Sequence, residues 1–185
     1  MTAERGKTDC AQMLLSGTAS GVMGAASIAK QIESSMCMSL DIGGTSADVA
    51  IIVDGNPQFG VGEMIGEFPV YIPSVSVTSI GEGGGSVAWV DDQGVLKVGP
   101  ESAGSTPGPA CYGRGGTKPT ITDALVLLGF LGNAALGYSA VDIQIERSRE
   151  AINPLAGSLS MTTEAAAESI TVSYTHLTLP TNREV

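Results

Sequence analysis

The segment from Asp41 to Val49 contains residue types that bind phosphate and metal ions. It reads Asp-Ile-Gly-Gly-Thr-Ser-Ala-Asp-Val, so two carboxylates, two adjacent glycines and two hydroxyls lie close together. Residues that favour β-strands precede it at 36–40 and follow it at 49–53, which predicts a strand-turn-strand hairpin with the glycines at its tip. Because glycine has no Cβ, such a tip can bring backbone N–H groups against a phosphate. The segment therefore predicts nucleotide chemistry.

Each residue of this hairpin has an expected role. The backbone N–H groups of the tip would hold phosphate and its hydroxyls would add donors; these residues are Gly43, Gly44, Thr45 and Ser46. Asp41 ends the first strand, where a carboxylate can hold Mg²⁺ through water, so it is the predicted metal ligand and a predicted catalytic residue. Asp48 is expected to brace the turn or to accept backbone N–H bonds rather than to contact a ligand. The alternative is a β-turn that only joins two strands.

A second glycine-rich region extends from Ile80 to Gly116 and holds eleven of the 25 glycines. Loops of this length inside a compact domain are usually functional or disordered. Trp89, Cys111 and Arg114 are interleaved with the glycines, which favours order. A ligand-lining loop is predicted over Gly83, Gly84, Gly85 and Ser86, with a flexible linker as the alternative.

The remaining elements would position these loops. The pattern predicts a helix over 14–32 with Ser16 as its N-cap, then strands at 58–63, 68–72 and 75–80. A short hairpin is expected at 88–98, with its turn at 91–94. Three helices follow, over 124–131 after a Thr122-Asp123 cap, over 141–152 after Ser139 or Asp142, and from Thr162 or Thr163 through 170.

Composition excludes several classes of protein. The 185 residues have a formal net charge of −10 and no basic run, so neither nucleic acid nor an anionic membrane is an expected partner. No apolar run reaches the ~20 residues that span a bilayer. The three cysteines, Cys10, Cys37 and Cys111, fit no zinc pattern and indicate a reducing compartment, so we expect a cytoplasmic protein. A packed thiol is the expected state of Cys111.

The end of the chain departs from this pattern. We divide the sequence into a poorly defined N-terminal edge at 1–13, one domain at 14–170 and a tail at 171–185. From Ser173 onward the sequence breaks the preceding helix pattern and resembles a translated cloning or sequencing adapter, the alternative being an ordinary polar tail. His176 is the only histidine, so the rest of the chain cannot build a Ser/His or Cys/His catalytic pair.

Taken together, the ordered series of motifs resembles the hydantoinase A / 5-oxoprolinase family. The series covers about 14–170 and consists of Leu15 to Ala25, Asp41 to Val49, Gly81 to Val90, Val98 to Gly104, Pro107 to Gly116 and Pro119 to Ala124. The Pro-Gly-Pro-Ala-Cys-Tyr-Gly-Arg-Gly-Gly segment is its most specific part. Thr18 stands where the family usually has proline, and Leu125 where it usually has asparagine.

The resemblance implies a fold and a reaction. The expected fold is an α/β ribonuclease-H-like domain of the actin/Hsp70/sugar-kinase superfamily, with a mixed sheet and flanking helices, here an incomplete internal fragment. The expected activity is ATP-dependent opening of hydantoin, N-methylhydantoin or 5-oxoproline, with ATP and Mg²⁺ as cofactors and a B-type hydantoinase subunit or domain as partner in an oligomer. Asp123 gains an expected active-site role beside its possible role as a helix cap.

Two other functions stay open on the sequence. An ATP-dependent ketone carboxylase subunit would use the same phosphorylation step. A non-enzymatic nucleotide switch like actin or Hsp70 would share the hairpin but lack the Pro107 to Gly116 segment. The isolated chain is expected to be inactive, because one domain of a two-domain clamp supplies only part of an ATP site.

Overall fold

A computed structural model describes residues 3–8, 16–65, 67–132 and 142–178. The chain divides into two compact units, one comprising residues 1–41 and 48–79, the other residues 42–47 and 80–185. The strands of the predicted hairpin thus belong mainly to the first unit, whereas its tip belongs to the second. Both helices and antiparallel strand pairs are present, which agrees with the predicted α/β class.

The first unit is built on a small sheet. Its strands are β1 (Met36–Ile42), β2 (Ala47–Val53) and β3 (Asn56–Pro57) in that order, with β6 (Thr78–Ile80) also paired to β2. Only four residues join β1 to β2, too few for the crossover that a parallel pair requires, so the two strands form an antiparallel hairpin. The predicted hairpin is therefore confirmed.

One helix covers this sheet. A short helix α1 (Ala3–Thr8) comes first in the chain, and α2 (Ser16–Gln31) corresponds to the helix predicted over 14–32. The buried positions of α2 recur at helical spacing and pack on apolar residues of the strands. The resulting core consists of Val22, Ala26, Ala29, Ala50, Ile52 and Val75.

A second strand pair in this unit corrects one prediction. Strands β4 (Phe59–Ile65) and β5 (Phe68–Val75) are antiparallel, as expected for strands at 58–63 and 68–72. The single strand predicted over 75–80 is wrong. Val75 is the end of β5, where it pairs with Phe59, and only 78–80 form β6. The alternating pattern therefore spans parts of two strands that have different partners.

The second unit begins with the predicted short hairpin. Strands β7 (Ser86–Val90) and β8 (Leu96–Ser102) pair antiparallel, and the Asp91 carboxylate accepts from backbone N–H groups in the turn between them. Trp89 is 44% exposed and is therefore not a core residue. Its indole N–H donates to the Gly99 carbonyl at 2.8 Å, which holds the ring at the edge of the hairpin.

Three helices pack on this hairpin: α3 (Ile121–Leu127), α4 (Ile145–Ser158) and α5 (Thr163–Thr178). They bury the larger apolar core with residues of β7 and β8. Its buried members are Ala88, Val98, Ile121, Ala124, Ile152, Leu155, Ala156, Ala166, Ala167, Ile170 and Tyr174.

The starts of two helices differ from the prediction. Helix α3 begins earlier than expected because Thr120, not Thr122 or Asp123, is its N-cap. Helix α4 has Gln144 as its N-cap, without a side-chain cap bond, and the Gln144 N–H donates instead to the Cys111 carbonyl. Ser139, one of its two predicted caps, lies outside the described residues.

Helix α5 overturns the predicted break at Ser173. The helix continues to Thr178, and Tyr174 is 4% exposed within the larger core. Residues 179–185 of the predicted tail lie outside the described part of the chain. Among the described residues, no helix is both long enough and apolar enough to cross a bilayer.

The buried position of Tyr174 gives a stability prediction. We expect Tyr174→Ala to lower the free energy of unfolding by about 3 kcal/mol, because it leaves a cavity in the core. Val172→Ala is the matched control, since Val172 is on the same helix but 56% exposed, and its cost should be within about 0.5 kcal/mol. Urea unfolding followed by Trp89 fluorescence reports on this unit. Equal costs for the two variants would show that Tyr174 is not part of the core.

Candidate phosphate-binding site

The turn at the tip of the β1–β2 hairpin is closed by one backbone hydrogen bond, and three of its backbone N–H groups are open to a ligand. The Gly43 N–H donates to the Ser46 carbonyl at 2.8 Å, which closes the turn. No described residue accepts a hydrogen bond from the backbone N–H groups of Gly44, Thr45 or Ser46. Gly44 and Thr45 are exposed. Of the four predicted phosphate donors, one is thus used by the turn itself and three are open.

The glycine-rich segment 83–85 packs against this tip and donates two backbone hydrogen bonds to it. The Gly84 N–H donates to the Gly43 carbonyl at 2.9 Å, and the Gly85 N–H donates to the Gly44 carbonyl at 2.7 Å. These two bonds fix both carbonyls of the tip glycines, so the peptide planes that carry the open N–H groups have a defined orientation.

The contact is so close that only glycine fits the supporting segment. A Cβ on Gly83 would lie 2.7 Å from both the Gly43 carbonyl oxygen and the Ser46 nitrogen, and one on Gly85 would lie 2.7 Å from the Gly44 oxygen. Because these neighbours are backbone atoms, no side-chain movement can relieve the overlap. Gly83 and Gly85 are therefore needed for backbone packing, in addition to any contact with a ligand, whereas a Cβ on Gly84 would meet the Thr122 hydroxyl at 2.7 Å.

Other bonds occupy the remaining donors of the supporting segment. The Gly83 N–H donates to the hydroxyl of the buried Ser86 at 3.1 Å, and the Ser86 N–H donates to the Gly83 carbonyl at 2.9 Å. Thr122 donates to the Gly84 carbonyl through both its N–H and its hydroxyl, each at 2.9 Å. Ligand contact by Gly83, Gly84, Gly85 and Ser86 stays a prediction, but their N–H groups all have acceptors within the chain.

A cleft of about 170 Å³ opens beside the tip. The tip forms one wall, and residues from the loop after β8 and from the short 3-10 turn Ala110–Tyr112 form the other. Its lining is Gly44, Thr45, Gly85, Gly104, Ser105, Pro109, Tyr112 and Thr122. The tip of the hairpin therefore borders a space that a small molecule can enter.

Asp123 anchors the far wall of this cleft. It is fully buried, and its carboxylate accepts from the N–H groups of Ala110 (3.1 Å) and Cys111 (2.8 Å). It also accepts from the Thr120 N–H and hydroxyl, which completes a capping box at the start of α3, and from the Ser148 hydroxyl of α4. Charge-assisted bonds of this kind are strong, so Asp123 joins three segments, namely the Ala110–Tyr112 turn, the start of α3 and helix α4. Its predicted catalytic role stays a prediction.

Cys111 lies next to this carboxylate and is fully buried. Burial, with a contribution from the charge of Asp123, raises the pKa of the Cys111 thiol to about 12. Because the thiolate is the nucleophilic form, the thiol is unreactive at neutral pH, as expected for a packed cysteine.

The first unit contains the predicted metal ligand. Asp41 is exposed and lines a cleft of about 310 Å³ together with Thr18, Gly21, Ser39 and Asp48. A Cβ on Gly21 would lie 3.9 Å from an Asp41 carboxylate oxygen, so helix α2 passes close to this group. Within the described ranges, no three histidine, cysteine, aspartate or glutamate side chains come together as a metal-binding cluster. The Mg²⁺ role of Asp41 stays a prediction.

Asp48 joins neighbouring elements rather than bracing the hairpin turn, the role that the sequence had predicted. Its carboxylate accepts from the Thr18 hydroxyl at 2.9 Å and the Ser79 hydroxyl at 2.6 Å. Helix α2, strand β2 and strand β6 are thus joined at one point. Proline, which the family resemblance led us to expect at position 18, has no hydroxyl and could not make this bond.

Sequence reasoning did not identify Ser105, Pro109 and Tyr112 as cleft residues. The sequence did give an indication of their importance, because all three belong to the glycine-rich region from Ile80 to Gly116 that was expected to be ordered. What the sequence lacked was the link from Asp123 to the backbone of the Ala110–Tyr112 turn, which places Tyr112 opposite the hairpin tip.

Comparison with known proteins gives consistent similarities. A family model described as hydantoinase/oxoprolinase matches residues 1–177. Caprolactamase subunit alpha of Pseudomonas jessenii is 36% identical over 156 residues, covering 84% of this chain and 22% of that protein. The acetophenone carboxylase gamma subunit of Aromatoleum aromaticum is 42% identical over 127 residues, covering 68% and 17% respectively.

A solved structure shows the same similarity in three dimensions. The crystal structure of the ATP-dependent caprolactamase from Pseudomonas jessenii aligns with a TM-score of 0.68 at 34% identity, covering 84% of this chain and 23% of that chain. The chain therefore spans about a fifth to a quarter of the length of these caprolactamase chains.

The backbone contact under the tip gives a second prediction. Gly83→Ala should lower the free energy of unfolding by about 1–3 kcal/mol, because the new methyl overlaps two backbone atoms of the tip. Gly81→Ala is the control, since a Cβ there meets nothing within 4 Å. Urea unfolding monitored at Trp89 measures both. If the two alanine variants are equally stable, the close contact does not exist in solution.

Proposed function

The chain belongs to the hydantoinase/oxoprolinase family, and we propose that it forms part of the ATP-binding subunit of an enzyme that opens cyclic amides by phosphorylating them. The observation that carries this proposal is the row of open N–H groups at Gly44, Thr45 and Ser46, of which the first two lie on peptide planes fixed by the bonds from Gly84 and Gly85. Successive N–H donors on a glycine-containing turn can form a concave site for an anion, and phosphate oxygens are the acceptors that suit it.

The chain's own groups would supply electrostatic stabilisation. Negative charge spreads over the equatorial oxygens during phosphoryl transfer, and fixed N–H donors stabilise it without reorganising. The Thr45 and Ser46 hydroxyls add donors at the same position. No histidine is needed for this chemistry, in agreement with the absence of one before His176.

The proposed reaction makes an unreactive amide electrophilic. The substrate's amide oxygen attacks the γ-phosphorus, a new P–O bond forms, and the bond to the β–γ bridging oxygen breaks as ADP leaves with its electron pair. The amide carbon, now bonded to a phosphorylated oxygen, accepts water, and the ring C–N bond then breaks as the nitrogen takes a proton. A second water cleaves the resulting acyl phosphate to a carboxylate and inorganic phosphate. We propose that a B-type subunit or domain completes the hydrolysis within an oligomer, since the similar proteins are themselves named as alpha and gamma subunits.

Asp41 suits a magnesium ion. Mg²⁺ usually keeps several waters and takes one or two carboxylates together with substrate phosphates, so an exposed carboxylate on an open cleft fits it without a protein cage. When bound, the ion neutralises charge on the phosphates. Asp48, occupied by Thr18 and Ser79, would keep its structural role.

We further propose that this region is part of a ribonuclease-H-like domain, in which a β-hairpin with a glycine tip faces ATP phosphates. The antiparallel β1–β2 hairpin and the helix α2 that packs beside it support this assignment. The complete protein, rather than these residues alone, would form the whole ATP site.

A ketone carboxylase subunit is the second candidate function. The similarity to an acetophenone carboxylase subunit favours it. The same donors would then stabilise phosphoryl transfer to an enolate oxygen instead of an amide oxygen.

The role of Asp41 gives a third prediction. In the complete enzyme that carries these residues, Asp41→Asn should reduce substrate-dependent ATP turnover by about 100-fold or more, the scale of losing one transition-state contact. The fold should be retained because Asp41 is exposed. Asp92→Asn, which changes an exposed aspartate outside both clefts, is the control. Phosphate release and thermal unfolding are the measurements, and an Asp41→Asn enzyme with full activity would remove Asp41 from the mechanism.

A further inference from the structure

A second cleft in the larger unit lies between helix α4 and the segment 110–117. We call it the α4 cleft, and its lining is Ala110, Gly116, Thr117, Arg147, Glu150 and Ala151. It shares no residue with the cleft beside the hairpin tip. Its volume is about 170 Å³, whereas pockets for drug-sized ligands start at roughly 300 Å³, so it suits a small molecule.

Both walls of the α4 cleft have a well-supported backbone. On the helix side, Arg147, Glu150 and Ala151 are spaced i, i+3 and i+4, which places them on one face of α4. On the loop side, a Cβ on Gly116 would overlap the Gly108 carbonyl oxygen, so the loop packs directly on its own backbone. The lining residues therefore belong to a preformed site.

The α4 cleft carries one charge of each sign. The Arg147 Nε donates to the Gln144 side-chain oxygen at 2.6 Å, which orients the guanidinium. Among the described residues, no acceptor occupies its terminal nitrogens, and no donor or cation occupies the Glu150 carboxylate. Ala110 and Ala151 contribute buried apolar surface. The cleft therefore offers a cation, an anion and apolar surface to a single ligand.

This combination disfavours a ligand with only one charge. Side chains three residues apart on a helix have Cβ atoms about 5–6 Å apart, so a carboxylate bound to Arg147 would also meet repulsion from Glu150. An ammonium group alone would meet the reverse repulsion. A molecule with a carboxylate at one end, an ammonium at the other and methylenes between them satisfies both charges and contacts the alanines.

We propose that the α4 cleft binds a small zwitterionic amino acid, and that this ligand is the product of ring opening, which slows the enzyme as it accumulates. The inference rests on the proposed function, because hydrolysis of a cyclic amide leaves an amine and a carboxylate on one chain, both ionised at neutral pH. The Ala110–Tyr112 turn links the two clefts, since Ala110 lines this one and Tyr112 lines the one beside the hairpin tip. A ligand in the α4 cleft thus contacts the turn that forms a wall of the phosphate-binding cleft.

Calorimetry on the complete enzyme without ATP tests the site, with 4-aminobutanoate, the ring-opened form of the lactam 2-pyrrolidinone, as the probe. Arg147→Gln and Glu150→Gln should each weaken its Kd by about tenfold or more, the scale of one lost hydrogen bond to a charged group. Both side chains are exposed, so the fold should be retained. Arg149→Gln is the matched control, since Arg149 pairs with Glu164 and does not line the cleft, and its Kd should equal that of the wild type.

Three results would overturn the site. They are an absence of binding by the wild type, a Kd that both cleft variants leave unchanged, and a Kd that Arg149→Gln weakens as much as they do.

Two matched compounds test the requirement for both charges. Butanoate lacks the amine and propylamine lacks the carboxylate, so each should bind the wild type at least about tenfold more weakly than 4-aminobutanoate. Equal affinity for either compound would contradict a zwitterionic ligand.

ATP hydrolysis at saturating 2-pyrrolidinone tests the effect on turnover. 4-Aminobutanoate should lower the rate of the wild type and of Arg149→Gln, and Arg147→Gln should need about tenfold more of it for the same fractional loss. Equal sensitivity of all three enzymes would place the product in the substrate site and overturn the inference. An enzyme that binds 4-aminobutanoate as expected, but hydrolyses no ATP with 2-pyrrolidinone, 5-oxoproline or hydantoin, would instead overturn the proposed function.

Discussion

The close backbone contact between the 43–46 turn and the 83–85 glycines is the constraint on which the candidate site depends. Two N–H···O bonds cross it, and the lack of a Cβ on Gly83 and Gly85 makes the approach possible. It is also why residues 42–47 belong to the second unit although their strands belong to the first. Without this contact, the open N–H groups of the tip would have no fixed direction, and a donor without direction gives little electrostatic stabilisation.

A second contact fixes the opposite wall. The buried Asp123 carboxylate joins the Ala110–Tyr112 turn, the start of α3 and the Ser148 hydroxyl of α4. Without Asp123, each group that donates a hydrogen bond to it would be a buried donor without an acceptor, which is costly. The cleft is therefore built from two loops, each held by hydrogen bonds to its own support. Burial, with a contribution from the charge of this carboxylate, raises the pKa of the Cys111 thiol and keeps it protonated at neutral pH.

The sequence predicted local features well because they are encoded locally. The β1–β2 hairpin, the β7–β8 hairpin and the α2 helix follow from turn residues and apolar spacing, and the structure contains all three. The sequence could not predict which glycine N–H groups are open and which donate to acceptors within the chain. That depends on a contact between segments some forty residues apart. For the same reason it missed Tyr112, and it ended α5 too early because only tertiary packing shows that Tyr174 is buried.

Residue-resolved amide hydrogen exchange on the complete enzyme, with and without a non-hydrolysable ATP analogue, tests the central claim most directly. The account predicts that nucleotide slows exchange at Gly44, Thr45 and Ser46 by about tenfold or more, because these N–H groups gain acceptors only then. Gly84 and Gly85 should already be protected without nucleotide, because they donate to the tip. Unchanged exchange at the three tip residues under saturating nucleotide, or fast exchange at Gly84 and Gly85 in its absence, would contradict the account.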